Sequence, residues 1–138
     1  MAIHTEREEI TSSIELNFGD EWNGIVSPEA SGGAVAVSGA GVVVTGDAVG
    51  FSMNSAYDGG AVAVTGGGRV DLTDAVFSSN SAGHWGGAFR NVASMTLTGG
   101  TLVGNLAGGL AGAGFNDAVM VISGTLVTGN SAGAGGAF

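Results

Sequence analysis

The sequence predicts an all-β fold, a right-handed parallel β-helix with about 25 residues and three short strands in each coil. Three observations predict it: an asparagine motif recurs four times, a Gly-Gly-Ala motif recurs with a similar spacing, and segments of alternating apolar residues lie between them. Repeats of this length are typical of solenoids, in which each repeat buries its apolar face against its neighbours. We expect residues 31–138 to form the coils, and residues 1–30 to form an N-terminal cap or an irregular first coil.

The first motif is an apolar or aromatic residue, two variable positions, Asn, one position and Ala. The asparagines are Asn54, Asn80, Asn105 and Asn130, spaced by 26, 25 and 25 residues, and the leading residues are Phe51, Phe77, Leu102 and Val127. Stacked coils repeat at about 4.8 Å, so equivalent residues lie above one another. We therefore expect a ladder of asparagine amides beside an apolar column in the core.

The second motif is Gly-Gly-Ala followed by an apolar residue. Its copies end at Val35, Val62, Phe89 and Phe138, and residues 111–113 are a degenerate copy. The glycines allow positive φ at the corners and close approach of neighbouring coils. Arg90 is expected to point outward, which turns the preceding Phe89, and by register Val62 and Val35, towards the core.

The third segment has period-two alternation. It reads Val-Val-Val-Thr at 42–45, Val-Asp-Leu-Thr at 70–73, Met-Thr-Leu-Thr at 95–98 and Met-Val-Ile-Ser at 120–123. This pattern predicts strands with one buried face. It also places Thr45 beside Thr73 in an outward column. Outward threonine arrays are a feature of ice-binding solenoids, but the adjacent column is irregular, and the ordinary β-propensity of threonine is the favoured explanation.

The two ends of the chain differ in character. Seven of the twelve carboxylates lie in the first 29 residues. Thr5-Glu6-Arg7-Glu8 matches a capping box and predicts a short helix, and residues 14–18 alternate like a strand. A disordered acidic tail is the alternative for this segment.

The other end stops at Phe138, one strand into a new coil. The chain is therefore either a piece of a longer solenoid or a subunit whose last coil accepts the next copy. The second alternative is favoured because the sequence starts with Met. It would be a head-to-tail contact, which generates filaments when the rotation does not close.

Residues 51–62 (Phe-Ser-Met-Asn-Ser-Ala-Tyr-Asp-Gly-Gly-Ala-Val) and 77–89 (Phe-Ser-Ser-Asn-Ser-Ala-Gly-His-Trp-Gly-Gly-Ala-Phe) carry both motifs. They resemble the repeats of chlamydial polymorphic outer-membrane proteins and related bacterial β-helix surface proteins. The resemblance covers roughly residues 31–138, with Leu102 and Val127 in place of Phe. It implies an autotransporter-like passenger displayed outside the cell, often with an adhesive role.

The charge of the chain restricts its partners. The formal net charge is −9, with three arginines and no lysine. Nucleic acid and anionic membrane surfaces are not expected partners, because both require clustered basic residues. The sequence contains no run of 18 apolar residues, so a transmembrane segment is not expected. The first residues lack the pattern of a secretory signal, which leaves a cytoplasmic protein or one whose signal has been removed; we expect an extracellular or cell-surface location.

The sequence offers little catalytic or metal-binding chemistry. Asp71 and Asp74 are the one nearby carboxylate pair within the repeats, and they are better explained as solvated surface. His4 and His84 are eighty residues apart. The segment 66–71 is similar to a calcium-binding nonapeptide, but Arg69 occupies a glycine position. We expect no enzyme, no metal and no cofactor.

These observations predict a non-enzymatic structural β-helix subunit whose partner is itself, assembled head to tail into a fibre or surface layer. The alternative is an adhesin passenger fragment that binds a host or glycan ligand through its side face, and a carbohydrate-active enzyme is a third. Tyr57, Trp85 and Phe138 are the candidate partner contacts, because aromatic residues are enriched where proteins bind.

Overall fold

The structure is a computed structural model that describes residues 2–138. It shows an all-β solenoid of about five turns with roughly 26 residues per turn, and no helix occurs in the described residues. The prediction of a parallel β-helix with three strands in each coil is confirmed. In the four coils that carry the asparagine motif, the strands on the two sides of the asparagine belong to separate ladders.

The strands are, in chain order, β1 Ile3–His4, β2 Glu8–Ile10, β3 Ile14–Leu16, β4 Glu21–Asn23, β5 Val26–Ser31, β6 Val35–Ser38, β7 Val43–Asp47, β8 Gly50–Ser52, β9 Ser55–Asp58, β10 Val62–Thr65, β11 Arg69–Thr73, β12 Val76–Ser78, β13 Ser81–Ala82, β14 Phe89–Asn91, β15 Ser94–Thr98, β16 Thr101–Val103, β17 Leu106–Leu110, β18 Gly114–Asn116, β19 Val119–Ser123, β20 Leu126–Thr128 and β21 Ser131–Ala134.

Four parallel ladders run along the solenoid. Sheet A has the order β1-β4-β8-β12-β16-β20, and it contains the leading residues of the asparagine motif. Sheet D, β5-β9-β13-β17-β21, contains the alanines of that motif. Sheet B, β2-β6-β10-β14-β18, follows the Gly-Gly-Ala motif, and sheet C, β3-β7-β11-β15-β19, is built from the alternating segments. From β4 onward the chain passes through the sheets in the order A, D, B, C, whereas the first coil passes from β1 in sheet A to β2 in sheet B and β3 in sheet C.

Residues in the left-handed backbone conformation bend the chain on both sides of sheet A. One column precedes the sheet and consists of Gly19, Ala48, Asp74, Gly99 and Gly124, and the other follows it and consists of Gly24, Met53, Ser79, Gly104 and Gly129. All ten have φ between 51° and 75°. Glycine adopts this region without strain. Coils that carry another residue there accept strain to keep the same path.

The second glycine of each Gly-Gly-Ala motif lies where neighbouring coils touch. A Cβ added to Gly60 would collide with the carbonyl oxygen of Gly87, and one added to Gly87 would collide with that of Gly112. Glycine is required here by space, because the φ of these residues is not positive. The following apolar residues are buried and in register, with Val62 between Val35 and Phe89. The predicted inward direction of all three is confirmed.

The predicted register of sheet C is wrong at its first copy. Thr45 pairs with Asp71, and it is Asp47 that pairs with Thr73. The later copies align as predicted, with Thr73 beside Thr98 and Thr98 beside Ser123. A shift of two residues keeps the same face inward, because side chains alternate with a period of two. The sequence pattern alone does not separate the two registers, and the predicted threonine column loses Thr45.

The first coil is made of strands. The predicted helix at residues 5–8 is wrong, because Glu8 begins β2, which pairs with β6. The strand expected within residues 14–18 is present as β3. Trp22 lies in β4 beside Phe51 and is buried in the core.

Candidate interaction surfaces

The interior of the solenoid holds a continuous apolar column in sheet A. The structure places Phe51, Phe77, Leu102 and Val127 in consecutive strands at the same register position. The rings of Phe51 and Phe77 stack with their centroids 4.8 Å apart. The column continues beyond the repeats, because Trp22 stacks on Phe51 at 5.2 Å and His4 stacks on Trp22 at 4.1 Å. The motif analysis did not place these two rings in the column, because both lie outside the four copies of the asparagine motif.

Beside this column the four motif asparagines form an amide ladder. The Oδ1 atom of Asn80 accepts hydrogen bonds from the backbone N and the Nδ2 of Asn54, at 3.0 and 3.1 Å. Asn105 accepts the same pair from Asn80, and Asn130 accepts it from Asn105. The remaining Nδ2 proton of Asn80 is donated to the carbonyl oxygen of Phe51. Asn54, Asn80 and Asn105 have no solvent exposure, so the ladder satisfies buried polar groups that would otherwise be costly.

The amide ladder has a direction and two different ends. Each asparagine donates to the next coil and accepts from the previous one. At the N-terminal end, Ile25 occupies the asparagine position, and only its backbone N donates, to Asn54. At the other end, Oδ1 of Asn130 accepts from Asn105. Its Nδ2 donates to the carbonyl oxygens of Leu102 in the preceding coil and Thr128 in its own coil. The ladder therefore begins at Ile25, whose side chain offers no hydrogen-bond acceptor, and ends at the amide of Asn130.

A second amide contact was not predicted. Asn91 is buried in sheet B and donates from Nδ2 to Oδ1 of Asn116 and to the carbonyl oxygen of Val119, both at 2.7 Å. Its own Oδ1 accepts from the backbone N of Ala93. The signal in the sequence is an asparagine two residues after the Gly-Gly-Ala motif in two consecutive repeats. These bonds fix the corner between sheets B and C.

The junction of sheets D and B carries an aromatic cluster, which we call the side corner and define as Tyr57, His84, Trp85 and Phe115. His84 stacks on Trp85 at 4.0 Å, and Trp85 stacks on Phe115 at 4.8 Å. Tyr57 leans against His84 at 5.2 Å, and its side chain is about half exposed. The structure thus brings together the two predicted contacts Tyr57 and Trp85. Both faces of the Trp85 ring are already covered, so the ring available to a partner is Tyr57.

A buried carboxylate holds the side corner in place. Asp58 is 7% exposed, and its Oδ1 accepts a hydrogen bond from the backbone N of Trp85 at 3.1 Å. Nδ1 of His84 lies 3.2 Å from the same oxygen, and Nε of Arg90 lies 3.9 Å from Oδ2. The Arg90 guanidinium also lies 5.8 Å from the centroid of the Trp85 ring. These contacts anchor the insertion at residues 83–85, which makes the corner a rigid part of the surface.

The other candidate surface is the coil formed by residues 118–138, which we call the C-terminal coil and which contains β19, β20 and β21. It contains no charged residue and no histidine. Its inward residues Met120, Ile122 and Val127 are only partly buried, whereas their counterparts one coil earlier, Met95, Leu97 and Leu102, are at most 3% exposed. Val119, Val121 and Leu126 are exposed as well.

The third predicted contact, Phe138, lies at the border of the C-terminal coil. It is half exposed, and its ring centroid is 6.3 Å from that of the buried Phe89. Together with Phe115 and Leu110 it lines a cleft of about 400 Å³. The cleft is apolar and has no charged residue among those that line it. Phe115 belongs to both this cleft and the side corner, so the two candidate surfaces are continuous.

The opposite end of the solenoid is polar. Arg7 donates from Nε to the carbonyl oxygen of Gly32 at 2.7 Å and from Nη2 to that of Ser31 at 2.9 Å. Asp20, which is 3% exposed, accepts hydrogen bonds from Nε2 of His4 and from the backbone N of Ala2. The hydrogen bond from His4 and then that from Ala2 lower the pKa of Asp20 below its ordinary value of 3.8. These contacts bind the first strands to the second coil.

The remaining sequence candidates lie apart from one another. The carboxylate of Asp71 pairs with Arg69 on the outer face of sheet C, and this contact raises the pKa of Arg69. His4 lies at the N-terminal end and His84 in the side corner. Within residues 2–138 no group of three or more metal-ligating side chains is found.

Comparison of the chain with protein-family models, curated proteins and solved structures gives no match. None of the described residues forms a helix that is long and apolar enough to cross a membrane.

Proposed function

We propose that the protein is a non-enzymatic structural β-solenoid subunit, located outside the cell or on its surface, that self-associates end to end through its C-terminal coil. The observation that carries the proposal is the uncharged C-terminal coil, whose core residues Met120, Ile122 and Val127 are partly exposed. A further layer of strands would bury these side chains and pair the free backbone edge of β19. Burial of apolar area contributes about 25 cal/mol per Å².

The resemblance to repeats of bacterial surface proteins supports the location. The rigid, repetitive interior supports a structural role, because the amide ladder and the stacked rings tie every coil to the next. Head-to-tail stacking would continue the parallel sheets and produce a fibre or a surface layer, whereas tail-to-tail stacking would produce a closed pair.

The test places a lysine on the free edge of sheet C, since natural proteins use edge lysines to prevent strand pairing. Val121 is 53% exposed in β19, and Thr45 is its exposed counterpart three coils away in the same column. We expect Val121→Lys to weaken self-association at least tenfold, because the ammonium group would lose its hydration at the contact, and Thr45→Lys to leave it unchanged. Light scattering after size exclusion measures the association, and electron microscopy shows its form. A wild-type chain that stays monomeric at high concentration would contradict the proposal.

The second candidate function is that of an adhesin, and the side corner is the observation that favours it. Tyr57 presents a half-exposed ring next to His84, and the adjacent Asp58 holds His84 and Arg90 close by. Aromatic surfaces with a few fixed polar groups are typical of binding sites. We expect Tyr57→Ala to remove binding to a glycan array or to host cells, with Val76→Ala as the exposed control on sheet A. Equal binding by both variants would argue against this role.

A further inference from the structure

We infer that the C-terminal coil binds the C-terminal coil of a second copy of this chain, tail to tail about a two-fold axis, and that the N-terminal end takes no part in the contact. This inference rests on the proposed self-association and specifies its geometry. It is carried by the difference between the two ends of the solenoid.

The N-terminal end is already closed by its own side chains. Arg7 lies directly before β2, whose first residue Glu8 pairs with Val35, so the first coil passes from sheet A to sheet B with no strand in sheet D and no asparagine position. Arg7 offers donors and no acceptor, and it uses two of them on the carbonyl oxygens of Ser31 and Gly32. An amide ladder arriving from another copy needs a side-chain acceptor at this end of the solenoid. Neither Arg7 nor Ile25 supplies one.

Head-to-tail stacking would also place carboxylates on an uncharged surface. Within sheet C, the column of Val121 begins at Glu15 in the first coil. Within sheet B, the column of Phe115 begins at Glu9. A parallel continuation therefore brings Glu15 of one copy beside Val121 of the next, and Glu9 beside Phe115. Neither column offers a cation at the C-terminal coil, so the carboxylate of Glu15 would be brought against an apolar side chain without a partner, at a cost in desolvation, whereas Glu9 is already paired with Arg7 of its own coil.

Tail-to-tail stacking avoids this cost. It brings together two coils that carry no charged side chain, and it leaves the acidic first coils at opposite ends of the pair. Five turns at about 4.8 Å give each solenoid a length of roughly 24 Å. The acidic ends are then separated by several Debye lengths, each about 8 Å at physiological ionic strength. Repulsion between two copies, each with a net charge of −9, therefore opposes tail-to-tail stacking less than head-to-tail stacking.

The free edge of sheet C suits a two-fold contact. β19 has five residues, with Val121 at its centre, Val119 and Ser123 exposed beside it, and Met120 and Ile122 directed to the core. Two copies of such a strand pair antiparallel about Val121, so that Val119 of one copy lies opposite Ser123 of the other. Directly opposite Cβ atoms in antiparallel pairs are about 4.5–5.5 Å apart. A two-fold contact of this kind is self-complementary and closed.

Cysteine cross-linking tests the geometry, because the chain has no cysteine of its own. We expect Val121→Cys to give a disulfide-linked dimer on oxidation, at least tenfold more than Thr96→Cys, which lies one coil further in along the same column. The double variant Glu15→Cys/Val121→Cys should give the same dimer and no higher species. Circular dichroism of each variant verifies the fold, and substitution at the exposed Val121 and Glu15 removes no buried contact.

The outcomes separate this inference from the proposed function. A ladder of multimers from the double variant, with no dimer from Val121→Cys alone, would show head-to-tail stacking and would overturn the two-fold contact while self-association stands. Association of the wild type without cross-linking of either variant would also overturn the two-fold contact. A wild type that is monomeric by light scattering would overturn self-association and the inference with it. Dimers from Val121→Cys with a dimeric wild type support both.

Discussion

Asn80 makes four side-chain hydrogen bonds from a position without solvent exposure. Its Oδ1 serves two donors of Asn54, and its Nδ2 serves Phe51 and Asn105. Because the donors and acceptors are all main-chain or amide groups of neighbouring coils, one residue joins three coils. The repeat of asparagine in the sequence follows from this geometry, since each copy supplies the acceptor for the previous coil.

We predict that Asn80→Ala lowers the free energy of unfolding by about 3 kcal/mol, because several buried polar groups lose partners that cost roughly 1–3 kcal/mol each. Asn130→Ala removes the same side chain at the exposed end of the ladder, and we expect it to cost about 1 kcal/mol, since water reaches the groups it leaves. Urea denaturation measures both. Equal costs would contradict the role given to burial.

The left-handed column after sheet A offers a stabilising substitution. Ser79 has φ of 55° and is exposed, and the equivalent residues of the next two coils are Gly104 and Gly129. We predict that Ser79→Gly raises the free energy of unfolding by about 1 kcal/mol, because the strain of a side chain in this region is roughly 1–2 kcal/mol. Ser78→Gly, in the adjacent strand, is the control and should destabilise by about 0.5–1 kcal/mol. Thermal unfolding distinguishes the two signs.

At the scale of single elements, the corner before sheet B depends on space. Gly87 touches the backbone of the next coil so closely that a Cβ would collide with Gly112 and Leu106. We predict that Gly87→Ala destabilises the fold by about 3 kcal/mol, in line with the cost of overpacking. Gly83→Ala, four residues earlier, meets nothing closer than 3.9 Å and should be nearly neutral. Chemical denaturation of the two variants is the measurement, and a similar loss in both would refute the steric explanation.

The first coil depends on a carboxylate. The pKa of Asp20 is lowered in the folded state, chiefly by the hydrogen bond from His4, relative to a value of 3.8 in the unfolded chain. A lowered pKa means that Asp20 stabilises the fold fully above pH 3.8 and that this contribution is lost as the pH falls through the folded-state pKa. The hydrogen bonds from His4 and from the backbone N of Ala2 are the interactions that weaken.

We therefore predict that Asp20→Asn lowers the melting temperature at neutral pH, and that the gap to the wild type narrows as the pH falls below about 4. Glu29→Gln removes the same charge from an exposed residue and should show no such gap. Melting curves between pH 7 and pH 2 provide the comparison. A gap for Asp20→Asn that is constant with pH would contradict the role of its ionised form.

For the whole molecule, each coil contacts only its two neighbours, as in other solenoids, so stability is distributed along the axis. Coils in the middle are covered on both sides, and the C-terminal coil is covered on one. Local opening is therefore expected to be easiest in β19–β21. Association through this coil would remove the difference, because it would cover the free side.

We predict that backbone amides of β19–β21 exchange with deuterium at least tenfold faster than those of β10–β12 in dilute solution, because local opening costs less free energy there. At concentrations where the chain associates, exchange in β19 should slow. Val121→Lys is the control and should show fast exchange at every concentration. Protection in β19 that is independent of concentration would contradict association through this edge.

The solenoid was predictable from the sequence because equivalent positions of the repeats carry similar residues. The spacing of Asn54, Asn80 and Asn105 fixed the period, and the alternation around Arg90 fixed which residues face the core. Other features could not be predicted from the sequence. The register of Thr45 depends on which of two equivalent alternations pairs with the next coil, and the contact of Asn91 with Asn116 depends on a corner that only the folded chain forms.

The sequence by itself determined that the repeats stack as coils. Stacking places equivalent residues above one another, and this buries the apolar positions of every repeat together. Only the tertiary structure decided that Arg7 and Asp20 close one end, that Trp85 is covered on both faces, and that the C-terminal coil leaves core residues exposed. The physical reason is that a repeat encodes contacts between equivalent positions, whereas ends and corners join positions that have no equivalent elsewhere in the chain.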